Sequence, residues 1–97
     1  MASIRDLKKD IDYLVSLVVV DCFQYSSYFE NADKDAAYKI AGEVMAKHQE
    51  LRQRVNHPDG KDNPKLIKAH YRKIGEDLLV ACDAAYAQLA ELIEKEA

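Results

Sequence analysis

Apolar residues recur along the first third of the chain at steps of three and four: Ile4, Leu7, Ile11, Leu14, Val18, Cys22, Tyr25 and Phe29. An α-helix turns once in 3.6 residues, so these steps gather the whole set on one face. The pattern predicts a first helix from about Ser3 to about Asn31. Ser3 is a suitable cap, and Asp6 favours the positive end of the helix dipole. Within it, Leu17-Val18-Val19-Val20 is apolar on every side and rich in β-branched residues, so a buried strand is the local rival. The three-four stepping continues on both sides of the run, and that favours helix. Val19 and Val20 then lie off the main stripe and imply a second contact surface.

A second helix is expected from about Asp33 to Asn56, on the stripe Ala37, Ile40, Ala41, Val44, His48, Leu51 and Val55. Pro58-Asp59-Gly60 reads as a turn. Asn63 as cap and Pro64 at the first helical position open a third helix, expected to reach residue 96. Its stripe is Ile67, His70, Tyr71, Ile74, Leu78, Ala81, Ala85, Leu89 and Leu92. Amphipathic helices joined by short connections pack antiparallel to their sequence neighbours. The expected fold is therefore all-α: one domain over residues 1–97, an antiparallel up-down-up three-helix bundle with long helices.

Reflecting the helices through turns near residues 32 and 60 sets Asp21 level with Glu43 and Asp77. The last ten residues would then project about 15 Å beyond the other helices. Leu89, Leu92 and Ile93 on that projection, with Val19 and Val20, are the candidate interface for a second copy of the chain or for another protein.

Composition narrows the class. With 48% hydrophobic and 32% charged residues, the chain reads as an ordinary globular domain, and its net charge of −3 gives no lead toward nucleic acid. The distribution is less even. Residues 58–75 carry a local +3 and residues 76–97 a local −5. Two cysteines far apart in helical patterns read as small core residues, which suits a reducing cytoplasm. Lys8, Lys9, an apolar run and Cys22 imitate a lipoprotein export signal. Asp10 and Asp12 interrupt it, and Asp21 stands where a small residue is needed, so neither export nor a membrane span is expected.

Chemistry finds little footing. Tyr25, Tyr28, Phe29, Tyr38 and Tyr86 should cluster at one end among alanines 36, 37, 41, 84, 85 and 87, as core filling. Asp21 interrupts an apolar heptad position. Carboxylates converging there could bind a metal, but the Glu-x-x-His spacing of helical di-iron sites is missing, and a hydrogen bond from a tyrosine hydroxyl is the simpler account. His48 and His70 could share a zinc ion, yet ordinary hydrogen bonding of two neutral imidazoles suffices. No catalytic triad, phosphate-binding glycine loop or cofactor motif occurs, so neither catalysis nor a cofactor is expected. Arg52, Arg54, Lys61, Lys65, Lys68 and Arg72 form a basic pole, a candidate for anion or RNA binding. Interspersed acids and the lack of paired exposed aromatics argue against nucleic acid.

Two resemblances bear on these residues. His57-Pro58-Asp59, followed by Lys61, Asp62, Asn63 and a helix, resembles the J-domain signature of co-chaperones. In that family the tripeptide joins a basic second helix to a third and carries stimulation of the partner ATPase. The match covers the loop and its flanks, while the family's short, Tyr-rich first helix is missing. Over nearly the whole chain, the opening Ser3-Ile4-Arg5-Asp6-Leu7-Lys8-Lys9-Asp10-Ile11 is similar to small uncharacterised helical proteins of Bacteroidetes bacteria. So are Arg54-Val55-Asn56 and Lys68-Ala69-His70-Tyr71-Arg72-Lys73-Ile74. That likeness implies three helices and supplies no activity.

Overall fold

The computed structural model of the protein describes residues 4–58 and 63–96. Three helices follow in order: α1 Ile4–Tyr28, α2 Lys34–Asn56 and α3 Pro64–Glu96. Each touches both others, and the bundle measures 54 × 20 × 16 Å. The valine-rich run lies inside α1, with Val18 fully buried and Val20 exposed two residues on. A strand there would have left its neighbours' three-four stripe without a common face. No helix among the described residues is long and apolar enough to cross a membrane.

The core is one cluster drawn from all three helices: Ile11, Val15, Val18, Cys22 and Tyr25 of α1, Ala37, Ile40, Ala41, Val44, Leu51 and Val55 of α2, and Ile74, Leu78, Cys82, Ala85, Leu89 and Leu92 of α3. Val15 and Cys82 are additions to the expected stripes, while Leu14 and Ala81 are only half-buried. A helix wedged between two neighbours buries an arc wider than one row, and the row drifts because 3.6 does not divide seven.

The ends are closed by side chains. Ser26 and Ser27 donate to the Cys22 and Phe23 carbonyls at 3.2 and 3.1 Å, competing with further helix at the end of α1. Helix α1 accordingly stops three residues short of Asn31. Asp33 caps α2, its Oδ1 accepting the Ala36 N–H at 3.0 Å. Asp33's own N–H donates to the Tyr25 hydroxyl at 3.0 Å, so the bend is fastened to the core. At the far end of α2, the Arg54 and Val55 carbonyls lack helical donors. They accept from His70 Nε2 at 2.6 Å and the Tyr71 hydroxyl at 3.4 Å, both on α3. Asn63 Oδ1 accepts the Lys65 N–H at 3.0 Å and starts α3.

Gly42 and Gly75 lie within helices, and a Cβ at either would meet no atom within 4 Å. Alanine there removes freedom from the unfolded chain without crowding the folded one. Gly42→Ala and Gly75→Ala are each expected to raise unfolding free energy by about 0.5–1 kcal/mol. Urea melts that move the midpoint up at unchanged slope would bear this out.

Candidate functional site

The described helices set the register on which any site depends. Bonds from His70 and Tyr71 to the end of α2 place the α2/α3 mirror point near residue 63 rather than 60. Reflection through the middle of the connection overlooks that α3 begins beyond the end of α2. Contacts of Asp12 with His48 and of Phe23 with Tyr38 put the α1/α2 mirror point nearer residue 30 than 32, and the two shifts together set Tyr86, not Asp77, level with Asp21, nine residues farther along α3. The expected overhang of the last ten residues is therefore absent at Leu89 and Leu92. Both are buried in the chain's own core, at 4% and 8% exposure, and neither is available as a free interface. Val19 is half-buried against the core, and only Val20 and Ile93 of the candidate interface are exposed. The spare length of α3 lies at the opposite pole, where its first turn reaches past the end of α2 and carries exposed Leu66.

The postulated carboxylate cluster does not assemble. Asp21 Oδ2 accepts the Tyr86 hydroxyl at 2.7 Å. Asp77 instead holds Arg54 Nη1 at 2.8 Å and Lys73 Nζ at 3.2 Å. Hydrogen bonding from Arg54 in the first place, and from Lys73, keeps its carboxyl below the usual range despite some desolvation. Glu43 is exposed on a shallow groove between α2 and α3, beside Lys47, Ala84 and Gln88. The two histidines are likewise apart in function. His48 Nε2 donates to Asp12 Oδ1 at 2.7 Å, with Arg52 Nε 3.7 Å from the same oxygen, while His70 is spent on the Arg54 carbonyl. Among the described residues no group of three or more His, Cys, Asp or Glu is placed to hold a metal ion.

At the basic pole much of the positive charge is locally balanced. Arg52 leans on Asp12, Arg54 on Asp77 and Glu50, Lys73 on Asp77, and Lys47 on Glu50. Among the described residues Lys65, Lys68 and Arg72 are exposed and make no ion pair. His57 is exposed at the end of α2 and lines an open depression with Arg54, Leu66, Ala69, His70 and Lys73. Pro58 follows it half-buried, and Asp59 and Lys61 of the loop and basic-pole readings lie outside the described residues.

Elsewhere the aromatic residues divide between core and surface. Tyr25 is buried against Phe29 at 5.5 Å between ring centroids, and Phe23 meets Tyr38 edge-on at 6.0 Å. Tyr28, in contrast, is 81% exposed.

The feature that sequence reading missed is a seam between α1 and α3, which run parallel. Its anchor is the Tyr86 to Asp21 bond. Residues seven before and seven after this pair share its flank and its level: Leu14 beside Leu79, and Tyr28 beside Ile93. Leu17, one turn before Asp21, joins the same flank. Leu79 is 56% exposed, Ile93 42% and Leu17 38%. The two apolar pairs stand two heptads apart, about 21 Å along the helices, with the Tyr86 to Asp21 bond at the heptad position between them. A signal was present in the 14, 21, 28 and 79, 86, 93 spacings, but only the register joins the two rows.

Burial, followed by the bond to Asp21, pushes the Tyr86 phenol up from its ordinary 10 to about 12. The neutral phenol is the favoured folded form, so this stabilisation is complete below pH 10 and drains away as pH rises toward 12. In an absorbance titration at 295 nm one tyrosine should ionise late. Tyr86→Phe should abolish that step, and Asp21→Asn should bring it earlier.

No family model, curated protein or solved structure matches this chain.

Proposed function

We propose that the protein is a non-enzymatic interaction module that works by associating with itself through helix packing. One observation carries this reading: Leu17 and Tyr28 of α1 and Leu79 and Ile93 of α3 are exposed apolar residues on the flanks of the two helices joined by the Tyr86 to Asp21 bond. Scattered surface leucines need no explanation, but apolar residues lined up at helical pitch along two adjacent helices form a surface that water disfavours. The polar groups that chemistry would need are instead committed to one another, as in the Asp12/His48 and Arg54/Asp77 pairs.

The cytoplasm is the compartment this reading assigns. Cys22 and Cys82 are free and buried, and burial foremost, with Asp21 and Asp83 beside them, pushes both thiols up and away from the reactive thiolate. The deciding experiment is mass by light scattering as a function of concentration. A rise from one chain of 11.0 kDa toward two is expected between micromolar and millimolar protein. A single-chain mass throughout that range would remove the reading.

A further inference from the structure

The geometry points to a binding site in the depression beside the α1/α2 turn, for a small zwitterion with an apolar side chain. That is the chemistry of a free α-amino acid. The site shares no residue with the exposed apolar positions of α1 and α3 named above, and it does not depend on self-association.

The depression takes in about 480 Å³, a volume within the range of small-molecule sites. Phe23, Ser26, Ser27 and Glu30 line it from the α1 side, at helical steps of three and four from Phe23 to Ser26 and Ser27. Lys34 and Tyr38, one turn apart on α2, line it from the other side. These walls are held in place by the fold itself. Phe23 meets Tyr38 edge-on, and Phe29, which also lines the depression, packs on buried Tyr25. The turn between them is pinned by the Ala32 N–H on the Phe29 carbonyl at 3.2 Å and by the Asp33 N–H on the Tyr25 hydroxyl. A ligand entering a preformed site forfeits less in ordering it.

The polar groups are sorted by type across the depression. Ser26 and Ser27 spend their hydroxyl hydrogens on the Cys22 and Phe23 carbonyls, so their oxygens are left to accept. With the Glu30 carboxylate they make three acceptors on one wall, and a primary ammonium has three N–H groups to donate. Lys34, on the facing wall, offers donors alone and suits a carboxylate. Among the described residues Glu30 and Lys34 make no ion pair, with each other or elsewhere, and neighbouring Asp33 is committed to the cap of α2. A lone anion or a lone cation would engage one wall only; a zwitterion engages both. Phe23, Phe29 and Tyr38 leave ring surface for an apolar side chain, and a ring face also attracts an adjacent ammonium.

Titration of the isotope-labelled full-length chain with L-phenylalanine, followed through its backbone amide signals, tests the site. Saturable shifts are expected at residues 23–38. Phenylalaninamide, which lacks the carboxylate, and N-acetyl-L-phenylalanine, which lacks the ammonium, should each bind roughly tenfold more weakly. Lys34→Ala should bring the amino acid down to the affinity of its amide, and Glu30→Gln to that of its N-acetyl form. Both positions are exposed, so both variants should keep the helical circular dichroism of the parent. Equal binding of the three compounds would reduce the effect to ring contact and overturn the inference. Shifts centred away from residues 23–38, or no saturable shift up to about 10 mM, would overturn it as well.

Discussion

Val18→Asp is expected to leave the chain largely unfolded at 25 °C, while Val20→Asp, two residues on, should change stability by no more than about 0.5 kcal/mol. Val18 is 0% exposed, in the core cluster with residues of α2 and α3, and Val20 is 48% exposed. The aspartate at 18 forfeits about 1.5–3 kcal/mol of apolar burial. It also places a carboxylate in an interior that, among the described residues, holds no charged side chain. The combined loss of about 5 kcal/mol or more takes most of the 5–15 kcal/mol typical of a domain. Far-ultraviolet circular dichroism at low micromolar concentration measures both variants. Equal damage at 18 and 20 would mean that α1 does not present one face to the core.

Leu51→Ala should cost about 2–5 kcal/mol, the range for deleting a fully buried leucine and leaving a cavity. Leu51 is 0% exposed, near the end of α2, where all three helices still meet. Leu66→Ala, at 53% exposure on the overhanging turn of α3, is its control and should cost under about 0.5 kcal/mol. Urea denaturation separates them by midpoint. Similar losses at the two positions would contradict the register that puts α3's spare length at that pole.

The bundle was readable because its signals agree at every level. Stepping of three and four, Asn63 as a cap and Pro64 at a helix start all point to the same three elements, which lie within about three residues of where those signals place them. The Asp21 to Tyr86 bond was also accessible, since a lone acid in an apolar row needs a donor. Register was not. Mirror points cannot be counted from residue numbers, and errors of about three residues at the second turn and about one and a half at the first displaced every level on α3. Together those errors turned Leu89 and Leu92 from core into supposed interface, set Asp77 opposite the wrong partner, and hid that Leu79 and Ile93 stand level with Leu14 and Tyr28. Long side chains on the core's rim escaped for a related reason. Arg54 reaches Asp77, and Asp12 reaches His48, only once neighbouring helices are fixed in height.

One consequence concerns the segment between Pro58 and Asn63. Because His70 and Tyr71 donate to the Arg54 and Val55 carbonyls, and the His57 N–H to that of Gln53, the end of α2 is closed before the segment begins. Doubling the length of a loop costs in general only about 0.6 kcal/mol in closure entropy. A peptide tag, a protease site or new chain termini could be grafted there without loosening the scaffold.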